Sequence, residues 1–235
     1  MKPYYVHRRS IGLITIFLPV IVAFGAWVGP DNLGIQESVS HYYYTGMRDI
    51  FVAFFFSIGM FLLIYNPSKY QSNYGKKDRY LGMVAGSSAI IASLIPTACS
   101  TIIISPICSS ISDQEPLFDN IHLAAGGLLV FSLAIFSYYF FPINQEEKMR
   151  KTYKWIGGIM FILILLMAIY HTTKGVNEEL FKDIFGSIPY IYWLELLLMW
   201  AWGYAWFLKG KGPKFYGDKL VAFRKEAAAF WRGFI

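Results

Sequence analysis

Apolar positions gather into six stretches, at 11–28, 47–65, 80–98, 121–141, 155–170 and 188–208, separated by polar connections. Crossing about 30 Å of hydrocarbon as a helix takes roughly 20 mainly apolar residues, so the pattern predicts an all-α bundle of six transmembrane spans. The fifth stretch is short and is expected to run a turn further at either end. With short connections between them, the spans leave room for one membrane domain, residues 1–212. Beyond it, residues 213–235 place Leu220, Phe223, Ala227, Phe230, Trp231 and Phe234 at intervals of mainly three and four, with Lys and Arg opposite. That spacing predicts an amphipathic tail lying in the membrane surface. Leu180, Phe181, Ile184 and Phe185 suggest a second surface helix in the 171–187 connection, and Ile102-Ile103-Ile104 an interfacial or re-entrant piece between spans three and four.

Charge orients the bundle. Short cytoplasmic loops retain Lys and Arg, while translocated loops do not. Eighteen basic residues fall in the N-terminal segment, the second and fourth loops and the tail, against Arg48, Lys174 and Lys182 in the other three loops. Both termini are therefore expected in the cytoplasm, in a multi-pass protein of a cell inner (plasma) membrane. The net charge of +6 does not point to nucleic acid, because its basic residues sit where topology and anionic lipid place them. Membrane lipids are the expected partners. Tyr4, Tyr5, Tyr42, Tyr43, Tyr44, Tyr190, Tyr192 and Trp193 fall near span ends, where amphipathic rings favour the interface. Small residues Gly82, Ala85, Gly86 and Ala89 recur along span three, a spacing that admits a close neighbour helix.

The two cysteines, Cys99 and Cys108, both lie in the third loop, on the non-cytoplasmic side. An oxidising compartment favours a disulfide between them. Ionisable groups near or inside spans gather at the same side: Arg48 and Asp49 open span two, Asp119 and His122 open span four, and His171 closes span five. Glu195 lies within span six among leucines, where a charge costs at least roughly 2.5–3.5 kcal/mol unless it is paired, wet or neutralised. Arg48 is its expected partner, with His122 or His171 next. The opposite face shows no comparable set.

These residues predict an outer-facing polar cavity formed by Arg48, Asp49, His122, His171 and Glu195, with Tyr44 beside it, binding a lipid or other amphiphile headgroup. Arg48 suits phosphate or carboxylate recognition because its guanidinium can donate two parallel hydrogen bonds. Zinc is the alternative, with His41, His122, His171 and Asp49 as ligands assembled from separate helices. No H-x-x-x-H or H-E-x-x-H pair supports it, and no cofactor is required by the first reading. Ser38 and Ser40 stand close to His41, yet no G-x-S-x-G turn marks a serine hydrolase. A transporter is disfavoured by the lack of an evident inverted repeat. Covalent chemistry is not established by any of these patterns.

The run S-V-S-H-Y-Y-Y-T-G-M-R-D from Ser38 to Asp49, with D-N-I-H before span four and W-L-E-L within span six, resembles a family of uncharacterised bacterial six-span integral membrane proteins carrying S-x-S-x-Y-Y-x-T-x-x-R-D. The resemblance runs to about Gly212 and implies topology more firmly than activity. A looser similarity, in helix number and the serine-rich segment before span two, extends to DRAM-type and Sfk-type membrane proteins. The chain is also similar to the alkaline ceramidase-like zinc hydrolases, which implies a metal-dependent hydrolase of a lipid amide or ester as the alternative function. Asp49, His122 and His171 carry that similarity, whereas Tyr44 stands where the Ser-x-x-x-His pattern needs His, and the distal His pair is missing.

Overall fold

The computed structural model describes residues 3–29, 32–65, 75–99, 116–176 and 188–210. Six α-helices lie over the six apolar stretches, and no strand occurs among the described residues. They are α1 (Pro3–Val28), α2 (Arg48–Leu63), α3 (Gly75–Leu94), α4 (Pro116–Ile135), α5 (Glu147–Val176) and α6 (Tyr190–Lys209). A 3-10 turn, Val39–Tyr44, precedes α2, and a π-helical turn, Phe136–Phe140, continues α4.

Among the described residues, four helices are long and apolar enough to cross a membrane: α1, α4 with its π turn, α5 and α6. The other two fall short for separate reasons. In α2 the 16 residues rise about 24 Å at roughly 1.5 Å each. In α3 the first turns carry Lys76, Lys77, Asp78 and Arg79, leaving Tyr80 to Leu94 for an apolar layer. Outward-facing Phe17, Phe24, Trp27, Leu128, Ile162 and Leu165 are exposed in this structure, so the helices are apolar on their outer faces as well as their inner ones, as lipid-embedded helices are.

Each helix packs on its chain neighbours, and α6 closes the ring by packing on α1. Glycines permit two close helix approaches. A Cβ on Gly12 would stand 2.6 Å from the Gly203 carbonyl, and one on Gly86 would stand 2.7 Å from that of Gly59. The latter contact joins α3 to α2, with Ala85 and Ala89 fully buried on α3, so the small residues of that span do serve packing. Pro19 has no N–H to donate inside α1. Beside it α6 supplies side-chain donors: the Tyr192 hydroxyl to the Pro19 carbonyl (3.0 Å) and the Trp200 indole to that of Ile16 (3.0 Å).

Four helices begin before the stretches expected for them: α3 and α4 by five residues each, α1 and α5 by eight. α1 begins at Pro3, which puts Arg8 and Arg9 inside the helix, and α5 runs from Glu147 to Val176 in place of 155–170. The first turns of α5 are polar but helix-compatible, with an exposed Glu147–Lys151 pair at 2.8 Å. Ile102-Ile103-Ile104, residues 177–187, the tail 213–235 and Cys108 lie outside the described residues. Cys99 is disulfide-bonded.

Candidate functional site

At one end of the bundle, the segment from Glu37 to Asp49 folds inward instead of crossing the surface as a loop. Its tyrosines decide this. Tyr42, Tyr43 and Tyr44 pack with Val39 against Leu18, Val22 and Ala26 of α1, Phe51 of α2, and Tyr192, Leu196 and Met199 of α6. They are 0%, 6% and 1% exposed, so the interfacial belt expected of them is not formed. A 3-10 turn brings residues three apart onto one side, and three successive aromatics leave no face that avoids the core.

Polar contacts tie this plug to α6, to α4 and to the segment that follows α3. Glu195 Oε2 accepts the Val39 N–H at 2.6 Å, capping a turn whose own flanking residue, Ser38, does not cap it. The Ser38 hydroxyl instead meets His41 Nδ1 at 2.7 Å, while His41 Nε2 lies 3.9 Å from Glu37. His122 of α4 bridges the Ile95 carbonyl through Nδ1 (2.6 Å) and the Ser40 hydroxyl through Nε2 (2.9 Å). A carbonyl only accepts, so Nδ1 carries the hydrogen, and in the neutral ring Nε2 accepts from Ser40. Asp119, one turn earlier on α4, accepts from Thr97 Oγ1 (2.9 Å) and the Ala98 N–H (2.7 Å). The Tyr44 hydroxyl donates to the Thr97 carbonyl. Burial pushes that hydroxyl from its ordinary 10 up to about 12, and raises Tyr42, whose hydroxyl accepts the Gln36 N–H at 3.4 Å, so both remain neutral.

Beside the plug, α2 and α3 leave an open cleft of about 500 Å³ lined by Tyr43, Arg48, Asp49, Val52, Ala53, Phe56, Ser93 and Leu94. Arg48 lies across the Tyr43 ring, its guanidinium carbon 4.3 Å from the centroid, and donates to the Tyr43 hydroxyl at 2.6 Å. Stacking on an aromatic face fixes the guanidinium plane.

The expected cavity therefore divides. Arg48 and Asp49 share the cleft, but His122 and Glu195 face inward and hold the plug, and Tyr44 is buried with them. Glu195 makes no ion pair with Arg48; a backbone N–H takes that place. His171 is exposed near the end of α5, its ring against Tyr170, and does not line the cleft. Among the described residues, no three His, Cys, Asp or Glu side chains converge as a metal set, so His41, His122, His171 and Asp49 stay apart.

A second polar centre lies at the opposite end, where the sequence pattern suggested none. Arg8, Asp78 and Lys209 are 2%, 5% and 9% exposed, from α1, α3 and α6, close enough to interact electrostatically. Arg8 donates to the Tyr65 hydroxyl (2.7 Å), and Lys209 Nζ to the Phe141 carbonyl (2.6 Å). Lys209 also lies 5.6 Å over the Tyr153 ring. Each charge sits at the end of an apolar stretch, where it reads as an interfacial anchor. The available signal was the helix start: once α1 begins at Pro3, Arg8 is a turn and a half inside.

No family model, curated protein or solved structure matches this chain. The functional reading rests on its own residues.

Proposed function

We propose that the chain is a six-span protein of a bacterial inner membrane, with both termini cytoplasmic, and that the α2–α3 cleft binds the headgroup of a lipid or other amphiphile. Loop charge supports the orientation, since it places the Arg48 end away from the cytoplasm. The carrying observation is the amphipathic lining. Arg48 and Asp49 stand at the rim, and Val52, Ala53, Phe56 and Leu94 form apolar walls.

Geometry favours a chain-bearing ligand over a small ion. From Arg48 to Phe56 the α2 wall advances about 12 Å along the helix, at roughly 1.5 Å per residue, comparable to the depth of one leaflet in a core of about 30 Å. Phe56 is 40% exposed, so the cleft opens sideways to where chains lie. The Arg48 guanidinium retains donors beyond the one given to Tyr43, enough for a phosphate or carboxylate. Purification in mild detergent followed by a lipid inventory tests the reading. A lipid retained by the native protein and lost from Arg48→Ala, with melting unchanged, supports it; identical lipid content in both overturns it.

A further inference from the structure

Two opposite charges meet in the cleft without neutralising each other. Arg48 and Asp49 are successive residues at the start of α2, and successive helical side chains diverge by about 100°. Both line the same cleft, yet no ion pair joins them; Arg48 is committed to the Tyr43 ring, and Asp49 is exposed at the rim. A purely anionic headgroup would satisfy the guanidinium but crowd the carboxylate. A purely cationic one would do the reverse. A headgroup carrying an anion and a cation a short distance apart satisfies both.

We infer that the cleft selects a zwitterionic phospholipid headgroup of the phosphoethanolamine kind, its phosphate on Arg48 and its ammonium on Asp49. This rests on the amphiphile-binding reading and narrows it to one headgroup class. The phosphate accepts the guanidinium donors that Tyr43 leaves, in the paired geometry that Arg favours. The ammonium, with three donors and a single charge, suits the exposed carboxylate. Glycerol-linked chains then run along Val52, Ala53 and Phe56. Among the described residues no other charged side chain lines the cleft, so discrimination between headgroups falls to Asp49.

The test is lipid binding to the full-length protein in detergent, read by native mass spectrometry with chain-matched phosphatidylethanolamine, its N-acetylated form and phosphatidylglycerol. Soluble glycerophosphoethanolamine serves as competitor. The ammonium contact is exposed, so its expected worth is roughly fivefold in affinity. Phosphatidylethanolamine should bind about fivefold more tightly than either anionic lipid, and Asp49→Asn should abolish that difference. Arg48→Gln should weaken all three. Because N-acetylation removes the ammonium charge from the ligand, the comparison holds even where Asp49→Asn fails to fold. Equal binding of the three lipids to the native protein, with all weakened by Arg48→Gln, overturns the headgroup assignment and leaves the amphiphile reading standing. Binding unaffected by Arg48→Gln overturns both. Displacement of lipid by soluble glycerophosphoethanolamine at equal concentration overturns the lipid as source of the headgroup.

Discussion

Replacing Glu195 should loosen the plug before it harms the bundle. The carboxylate accepts the Val39 N–H at 2.6 Å across 156 residues of sequence, and Ser38, turned toward His41, supplies no substitute cap. A buried donor left without its acceptor costs about 1–3 kcal/mol. Glu195→Leu removes the acceptor outright, so about 2 kcal/mol should be lost from local stability. Glu195→Gln keeps a neutral acceptor and should lose about 1 kcal/mol. Amide hydrogen exchange reads this directly, since 1.4 kcal/mol is tenfold in an opening equilibrium. Exchange across residues 37–45 should rise roughly thirtyfold in Glu195→Leu and fivefold in Glu195→Gln, with α4 and α5 unchanged. Unaltered exchange over 37–45 in Glu195→Leu would show that the carboxylate does not anchor the turn.

Other expectations follow from the packing and the second polar centre. Gly12→Val would drive a side chain into the Gly203 carbonyl and the Phe207 backbone, costing about 1–3 kcal/mol by overpacking, whereas Gly158→Ala meets nothing within 4 Å and should leave the melting temperature in place. Asp78→Asn removes the buried negative charge that Arg8 and Lys209 feel and should lower the melting temperature; Lys209→Met in the same chain should restore part of it, and a strictly additive thermal-melt cycle would refute the coupling. A tyrosine raised to about 12 in the fold contributes stability that is complete below its ordinary 10 and lost as pH climbs from 10 to 12. Tyr44→Phe should flatten that alkaline decline in a melting series. Cys99 is disulfide-bonded and should resist alkylation until a reductant is added; full labelling without reductant would contradict the bond.

The sequence revealed helix positions because apolar runs of spanning length have few alternatives. Crossing was harder to read for α2 and α3, whose apolar layers are short, and helix ends were missed where polar residues continue a helix, as at Pro3 and Glu147. Arg48 and Asp49, adjacent in the chain, line one cleft. His122, His171 and Glu195 share a depth by counting residues, but depth says nothing about direction around a helix. Two of them turn inward and one outward. Composition cannot distinguish a wet aromatic from one buried by a 3-10 turn, as at Tyr42, Tyr43 and Tyr44. The burial of Arg8, Asp78 and Lys209 is illegible in the sequence for the same reason: only packing buries charges at helix ends.

Photo-crosslinking from inside the cleft tests ligand binding most directly. A benzophenone side chain placed at Ala53, between Arg48 and Phe56 on the cleft wall, should capture lipid in native membranes, and Arg48→Ala in the same chain should sharply reduce the adduct. Equal capture from Ala53 and from outward-facing Ile162 on α5, with no effect of Arg48→Ala, would mean that the cleft holds only passing bilayer lipid, contradicting specific binding.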